Sequence, residues 1–324
     1  MTAVDLDGVT VTYGTGQHLM RAVDNVNLRV PADGVLGLVG ESGSGKSTLA
    51  RALVGLVDID EGRILHDGQD LDDLPARARR QRRRRVQMVF QDPFGSLNPR
   101  MTVGDTLLEA IRTTRMLPRS MRSGEVVELL DLVSLDARYA RLLPRELSGG
   151  QRQRVAIARA LAAKPDVLVA DEITSALDAS VQGAILNLIR DLRERLRISV
   201  LLISHNLSVV RYVSDTIAVM YLGRVVETAT TDELLTAPQH PYTRALLDAV
   251  PRLGLDALPT SAVLDEDPAD PHDPPLGCHF HPRCPMGPVL HPDRVVCRTE
   301  DPSREAGTRP HQAACHFPGV HTLA

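Results

Sequence analysis

Gly40 to Ser47 read GESGSGKS, the pattern G-x-x-x-x-G-K-[ST]. Gly40, Gly43 and Gly45 let the backbone curl so that successive N–H groups face one anionic group. The helix expected from Ser47 to Leu56 adds its N-terminus to the same cradle. Lys46 supplies a compact ammonium for β- and γ-phosphates, and the Ser47 hydroxyl is a ligand for Mg²⁺. Ser42, Ser44 and Thr48 complete the loop's polar inventory. The apolar run Val35–Val39 precedes it, giving the strand, loop, helix order that separates such a loop from a glycine-rich turn. The chemistry this spacing serves is nucleotide binding.

A second cradle follows about a hundred residues later. Leu147 to Gln151 read LSGGQ and continue as RQRVAIARAL. Ser148, Gly149 and Gly150 at a helix start offer a hydroxyl and unobstructed N–H groups, with Gln151 beside them. Two cradles in one chain suggest sites shared between chains. Val167 to Glu172 form an apolar strand ending in two carboxylates, Asp171 and Glu172, at the edge of an open α/β sheet where ligands bind. The plain alternative is that these acids cap the following turn. His205 follows a further core strand, Val200–Ser204, where a lone histidine is otherwise structural.

These motifs, in this order, resemble the ATP-binding cassette (ABC) ATPases over about Val4 to Pro251. The resemblance implies that ATP is sandwiched in a head-to-tail dimer, Ser148, Gly149, Gly150 and Gln151 of one subunit covering the γ-phosphate held by the other's loop. It implies that Asp171 holds Mg²⁺ through water, that Glu172 polarises the attacking water, and that His205 hydrogen-bonds the γ-phosphate. Gln91, in VFQDP, takes the place of the residue that reaches Mg²⁺ and water and adjoins the membrane subunit. Asp178 closes Ser-Ala-Leu-Asp, the loop that touches the partner's site. Tyr13 fits the aromatic that stacks on adenine, a buried strand tyrosine being the alternative. Ile173 departs from the family's usual Pro after the glutamate, and Asn206 from the usual Asp.

The expected architecture is α/β: a P-loop core, an antiparallel β subdomain from strands near Val9–Tyr13 and Ala22–Val30, and a helical subdomain at about 96–163. The cassette spans 1–250, and a Pro-rich linker with a Cys- and His-rich extension spans 251–324. No apolar run approaches the roughly 20 residues of a spanning helix, and MTAVDLDGVT has neither a basic region nor an apolar core. The net charge of -4 and 3% aromatic content leave no footprint for nucleic acid. The arginine-rich run Arg77–Arg85 lacks interleaved aromatics and reads as a solvated helical face, with anionic lipid a second reading.

FQDPFGSLNP at 90–99, HPYTR at 240–244 and CHFHPRCP at 278–285 resemble the ATPases of dipeptide, oligopeptide and nickel importers. That resemblance implies two transmembrane permeases, a second ATPase (a paralogue, or a second copy), an extracytoplasmic binding protein, and a place on the cytoplasmic face of the membrane. The function implied is ATP hydrolysis driving peptide import. Alternatives are import of nickel or another small solute, and a soluble ABC ATPase outside transport.

Cys278, Cys284, Cys297 and Cys315 all fall in the tail, spaced C-x5-C-x12-C-x17-C. Four thiols with none in the core favour a soft metal over disulfides, and the absence of C-x-x-C suits an iron–sulfur cluster, expected as [4Fe–4S]. Zinc is the alternative, with His279, His281 or His316 as substitute ligands, and free thiols are the third reading. The centre is expected outside the nucleotide pocket, because the tail follows the complete cassette, so that its loss impairs assembly more than nucleotide binding.

Overall fold

The computed structural model describes residues 2–14, 19–114, 117–249, 269–302 and 311–319. Most of the expected linker therefore lies outside the described residues. Two sheets organise the chain. Strands β1 (Thr2–Tyr13), β2 (Met20–Pro31), β4 (Glu61–His66) and β5 (Gln69–Asp70) form an antiparallel sheet in the order β2-β1-β4-β5. Alternation in β2, with Val26, Leu28 and Val30 buried between exposed polar residues, turns one face of this sheet onto the core.

The second sheet has seven strands, adding β3 (Val35–Val39), β6 (Val86–Val89), β7 (Val167–Asp171), β8 (Ser199–Ser204), β9 (Thr216–Tyr221), β10 (Arg224–Thr230) and β11 (Gln312–Ala313). Its order is β11-β10-β9-β3-β8-β7-β6, with β9, β3, β8, β7 and β6 parallel and the β9-β10-β11 edge antiparallel. Every residue of β3, β7 and β8 is buried, and their apolar runs, VLGLV, VLVA and VLLI, are those of strands covered on both faces. The tail strand β11 extends this sheet, and buried Glu227 on β10 pairs with His311 at 2.7 Å.

Helix α1 (Lys46–Leu53) leaves the phosphate loop and packs Leu49 and Leu53 under the antiparallel sheet. Helix α2 (Ala76–Arg83) buries none of its residues, as its arginines require. Between β6 and β7 come α3 (Pro93–Ser96), α4 (Val103–Thr114), α5 (Arg119–Leu132) and α6 (Gly149–Leu161); the apolar sides of α4, α5 and α6 share a core containing Leu107, Ile111, Leu130 and Ile157. Helices α7 (Ala179–Leu196), α8 (Leu207–Val213), α9 (Thr231–Thr236) and α10 (Pro241–Asp248) complete the helices before the tail. Among the described residues no helix is long and apolar enough to cross a membrane.

Candidate active site

The C-terminal ends of β3, β6, β7 and β8 lie side by side, so the loops leaving them deliver their side chains to one sheet edge. From β3 comes the phosphate loop. Gly45 sits at φ 99°, and a Cβ there would stand 2.1 Å from the Ala22 carbonyl oxygen. A Cβ at Gly40 would stand 2.1 Å from the Met220 carbonyl oxygen. Neither position tolerates a side chain, so the glycines set how closely backbone can wrap an anion.

Lys46 is buried, and its Nζ donates to the carbonyls of Gly40 (2.9 Å) and Glu41 (2.7 Å) and to Ser44 Oγ (3.1 Å). Burial pushes its ammonium below the usual lysine range, against the opposing pull of Glu172, Asp171 and Glu41. Ser47 Oγ donates to Asp171 Oδ1 at 3.1 Å, so the two expected Mg²⁺ donors already meet. Burial raises the Asp171 carboxyl, and the Ser47 hydrogen bond counters it. A buried carboxylate beside a hydroxyl at the end of a phosphate loop fits a hard divalent cation.

Glu172 is gripped from two sides. Gln91 Nε2 donates to Oε2 at 2.8 Å, and His205 Nδ1 lies 3.2 Å from Oε1. The Glu172 backbone has φ 47°, the left-handed region that a non-glycine residue enters only under constraint, and its N–H donates to Ile203 O at 3.0 Å. Ile173, which follows, is buried and anchors that turn by packing. Asn206 caps α8, its side chain accepting from Ser208 N.

A cleft of about 380 Å³ opens over these groups. Ser42, Gly43, Gly45, Lys46, Ser47, Thr48, Gln91 and Glu172 line it, with Asp171 and His205 tied to its wall through Ser47 and Glu172. Gly40 and Ser44 act behind the wall, as acceptors for Lys46. Tyr13 does not line the cleft. It ends β1 opposite Met20, which does, and is 38% exposed.

Ser148, Gly149, Gly150, Gln151 and Asp178 are also outside this wall. Ser148 caps α6, its Oγ accepting from Gln151 N (3.3 Å) while Gln151 Oε1 accepts from Ser148 N (2.8 Å). Asp178 caps α7 in turn, accepting from Val181 N at 2.9 Å. A Cβ on Gly150 would stand 2.5 Å from Val181, so the two caps are packed together as one unit.

The tail departs from expectation. Phe280 is fully buried against Tyr221 (5.2 Å, ring planes at 83°) and Tyr242 (5.3 Å), which brings HPYTR and CHFHPRCP into contact. Tyr242 Oη accepts from the N–H of Glu41 in the phosphate loop at 2.9 Å. Arg283 pairs with the Glu41 carboxylate at 3.1 Å. None of the four cysteines lines the cleft, but Pro271, Pro274 and His279 do. The cysteines thus stay off the cleft wall while other tail residues reach it, with Phe280 filling an aromatic socket behind the loop. Sequence reading missed this contact and the lining residues Met20, Arg21, Ala22, Asp24, Leu222 and Gly223; the only signal was the co-occurrence of the two short motifs.

None of the four cysteines is in a disulfide. Burial pushes Cys278 and Cys284 up to about 12 and Cys315 up to about 11, and the charges of neighbouring cysteines add to each shift. Among the described residues no three His, Cys, Asp or Glu side chains form a group that could hold a metal ion. The centre expected on Cys278, Cys284, Cys297 and Cys315, iron–sulfur or zinc, therefore has no assembled ligand group among these residues.

The comparisons with known proteins follow this geometry. The ABC transporter family profile matches residues 23–175, and the profile described as oligopeptide/dipeptide transporter, C-terminal region, matches 226–288. A Brucella ovis protein named as a peptide import ATP-binding protein is 45% identical over 86% of this chain and 88% of its own. A Sinorhizobium fredii protein named as a peptide ABC transporter ATP-binding protein is 45% identical over 94% of this chain and 84% of its own. Among solved structures, a dimeric ATP-binding cassette bound to ADP and Pi in a post-hydrolysis state superposes with TM-score 0.63 at 33% identity, covering 70% of this chain and 98% of that one. A Clostridium perfringens component of the cbiONQ ABC transporter complex superposes with TM-score 0.65 at 27% identity, covering 72% of this chain and 90% of its own. With the phosphate loop, the paired carboxylates and the capped LSGGQ helix in place, this chain belongs to the ABC transporter family, as an ATPase of the ATP-binding cassette fold.

Proposed function

We propose that the chain is the ATP-hydrolysing subunit of an ABC importer of peptides. The observation that carries this is the convergence of Lys46, Ser47, Gln91, Asp171, Glu172 and His205 on one cleft, in a chain whose later part matches the oligopeptide/dipeptide transporter region. The names of its relatives support the cargo class.

In this reading the N–H groups of the glycine loop and the Lys46 ammonium hold the phosphates. Ser47, Asp171 and Gln91 are the groups that would hold Mg²⁺, which when bound neutralises charge between the β- and γ-phosphates. Glu172 accepts a proton from water as its oxygen bonds to the γ-phosphorus; the bond from that phosphorus to the ADP oxygen breaks, giving ADP and phosphate. Gln91 and His205 fix the carboxylate so that little reorganisation remains for the reaction step.

The placement of Ser148–Gln151 and Asp178 away from their own chain's cleft supports use in trans, in a head-to-tail pair with a paralogous ATPase or a second copy. A second cleft of about 410 Å³ between α1, α2 and β6 carries Leu56 and Phe90, both exposed, next to Gln91. It is a seat for a segment of one of two permeases, which would hold the chain on the cytoplasmic face of the membrane and connect it to an extracytoplasmic binding protein. Residues 1–250, with a helical part at about 96–163, act as the cassette and 251–324 as the extension.

The four cysteines complete this reading as ligands of an iron–sulfur cluster. Three of the thiols are within electrostatic reach of other cysteines, yet no three are grouped as ligands of one ion. The spacing without C-x-x-C favours a polynuclear cluster over zinc. Anaerobic purification with iron, sulfide and zinc analysis tests it: iron with sulfide is expected, and zinc alone, or no metal with four alkylatable thiols, refutes it. The transport reading is tested by isolating the chain with its membrane partners and measuring uptake into vesicles. ATP-dependent uptake of peptide is expected; uptake of a nickel chelate but not peptide, or isolation without any membrane subunit, contradicts it.

A further inference from the structure

We propose that the cysteine-bearing tail is part of the nucleotide site: Pro271, Pro274 and His279 contact the base and ribose half of bound ATP, and Arg283 is a positioning residue that fixes the phosphate loop through Glu41. The proposal rests on the reading of the cleft as the ATP site.

Lys46, Ser47, Thr48, Gln91 and Glu172 claim one end of the cleft for phosphates. The base and ribose must then lie along the rest of the lining, which includes Met20, Arg21, Ala22, Asp24, Leu222, Gly223 and the three tail residues. His279 is buried and held in place, its Nδ1 lying 3.3 Å from the Leu222 carbonyl oxygen. Donation from Nδ1 to that carbonyl leaves Nε2 as an acceptor for a ribose hydroxyl or a base amino group. The carbonyl is itself fixed: Leu222 adopts φ 42°, and the next residue, Gly223, donates its N–H to Ser44 O at 3.0 Å.

Arg283 reaches the other end of the loop. Its side chain is 4% exposed and donates to both carboxylate oxygens of Glu41 and to Tyr221 Oη. Glu41 is the second residue of GESGSGKS, and its own carbonyl accepts from Lys46 Nζ. A buried guanidinium paired with a carboxylate in this way holds the loop at the spacing its glycines require. Cys278 and Cys284 bracket His279 and Arg283, so the same short segment carries thiols, one residue of the cleft wall and the loop clamp.

Calorimetry on the full chain, purified anaerobically in the Glu172→Gln background to suppress turnover, tests this with two probes, Mg·ATP and inorganic tripolyphosphate. His279→Ala is expected to weaken ATP by about fivefold, the value of one hydrogen bond, and to leave tripolyphosphate unchanged. Arg283→Gln is expected to weaken both probes by about tenfold, and to add little once Glu41→Gln is present. Retained tripolyphosphate binding shows that the His279 variant is folded. Unchanged ATP affinity in His279→Ala, or equal loss of both probes, overturns the wall contact. An Arg283→Gln effect that is absent, or fully additive with Glu41→Gln, overturns the clamp. Full binding of both probes by Lys46→Ala would instead remove the ATP reading of the cleft.

Discussion

Gln91 Nε2 donates to Glu172 Oε2 at 2.8 Å, joining the end of β6 to the end of β7 directly over the phosphate loop. With His205 on the other oxygen, the carboxylate has little freedom left. His205→Ala frees one side of it while leaving the loop intact. The expected result is a fall in kcat of about 100-fold with ATP affinity within about twofold of the parent, read from steady-state turnover and equilibrium binding. Loss of ATP binding in a folded His205 variant would place this side chain in the binding surface instead.

Ser148 and Gln151 cap α6 on a surface away from their own chain's cleft. A Ser148→Arg substitution therefore puts a bulky cation where a second subunit would close, without touching the phosphate loop of the same chain. ATP binding by the isolated subunit should be unchanged, while ATP-induced dimerisation, followed by light scattering, should be lost. A variant that dimerises normally with ATP contradicts the use of this cap in trans.

His66 in β4 is buried, and its Nε2 lacks a hydrogen-bond partner among the described residues. Burial holds the imidazole at about 4, below its ordinary 6.5. Because the unfolded chain takes up this proton first, the contribution is present in full above about pH 6.5 and is lost as pH falls towards 4. The loss amounts to about 3 kcal/mol at most. Denaturant unfolding of His66→Gln should show a shallower fall in stability across that window; an unchanged acid limb would assign the titration elsewhere.

The chemistry of single elements was legible in the sequence because it is local. GESGSGKS reports the backbone conformations it needs, VLVADE reports a doubly covered strand with acids at its end, and Ser148-Gly149-Gly150 reports a helix start. The docking of the tail was not legible. Phe280 meets Tyr242 and Arg283 meets Glu41 across long stretches of chain, and nothing in a short aromatic–basic segment says which surface it will cover. Tyr13 shows the same limit: its residue type suits a stacking role, but the register that sets it opposite the cleft-lining Met20 comes from pairing across the sheet.

Replacing Glu172 by Gln keeps the shape of the side chain and its contacts with Gln91 and His205 while removing the proton acceptor. Single-turnover hydrolysis measured alongside ATP affinity, in an assembly where every ATPase subunit carries the change, tests the central claim most directly. The account predicts a fall in the hydrolytic step of about 100-fold or more with ATP still bound tightly and the paired subunits trapped closed. Hydrolysis at a near-normal rate would contradict it, because the carboxylate at the end of β7 would then not be the group that takes the proton.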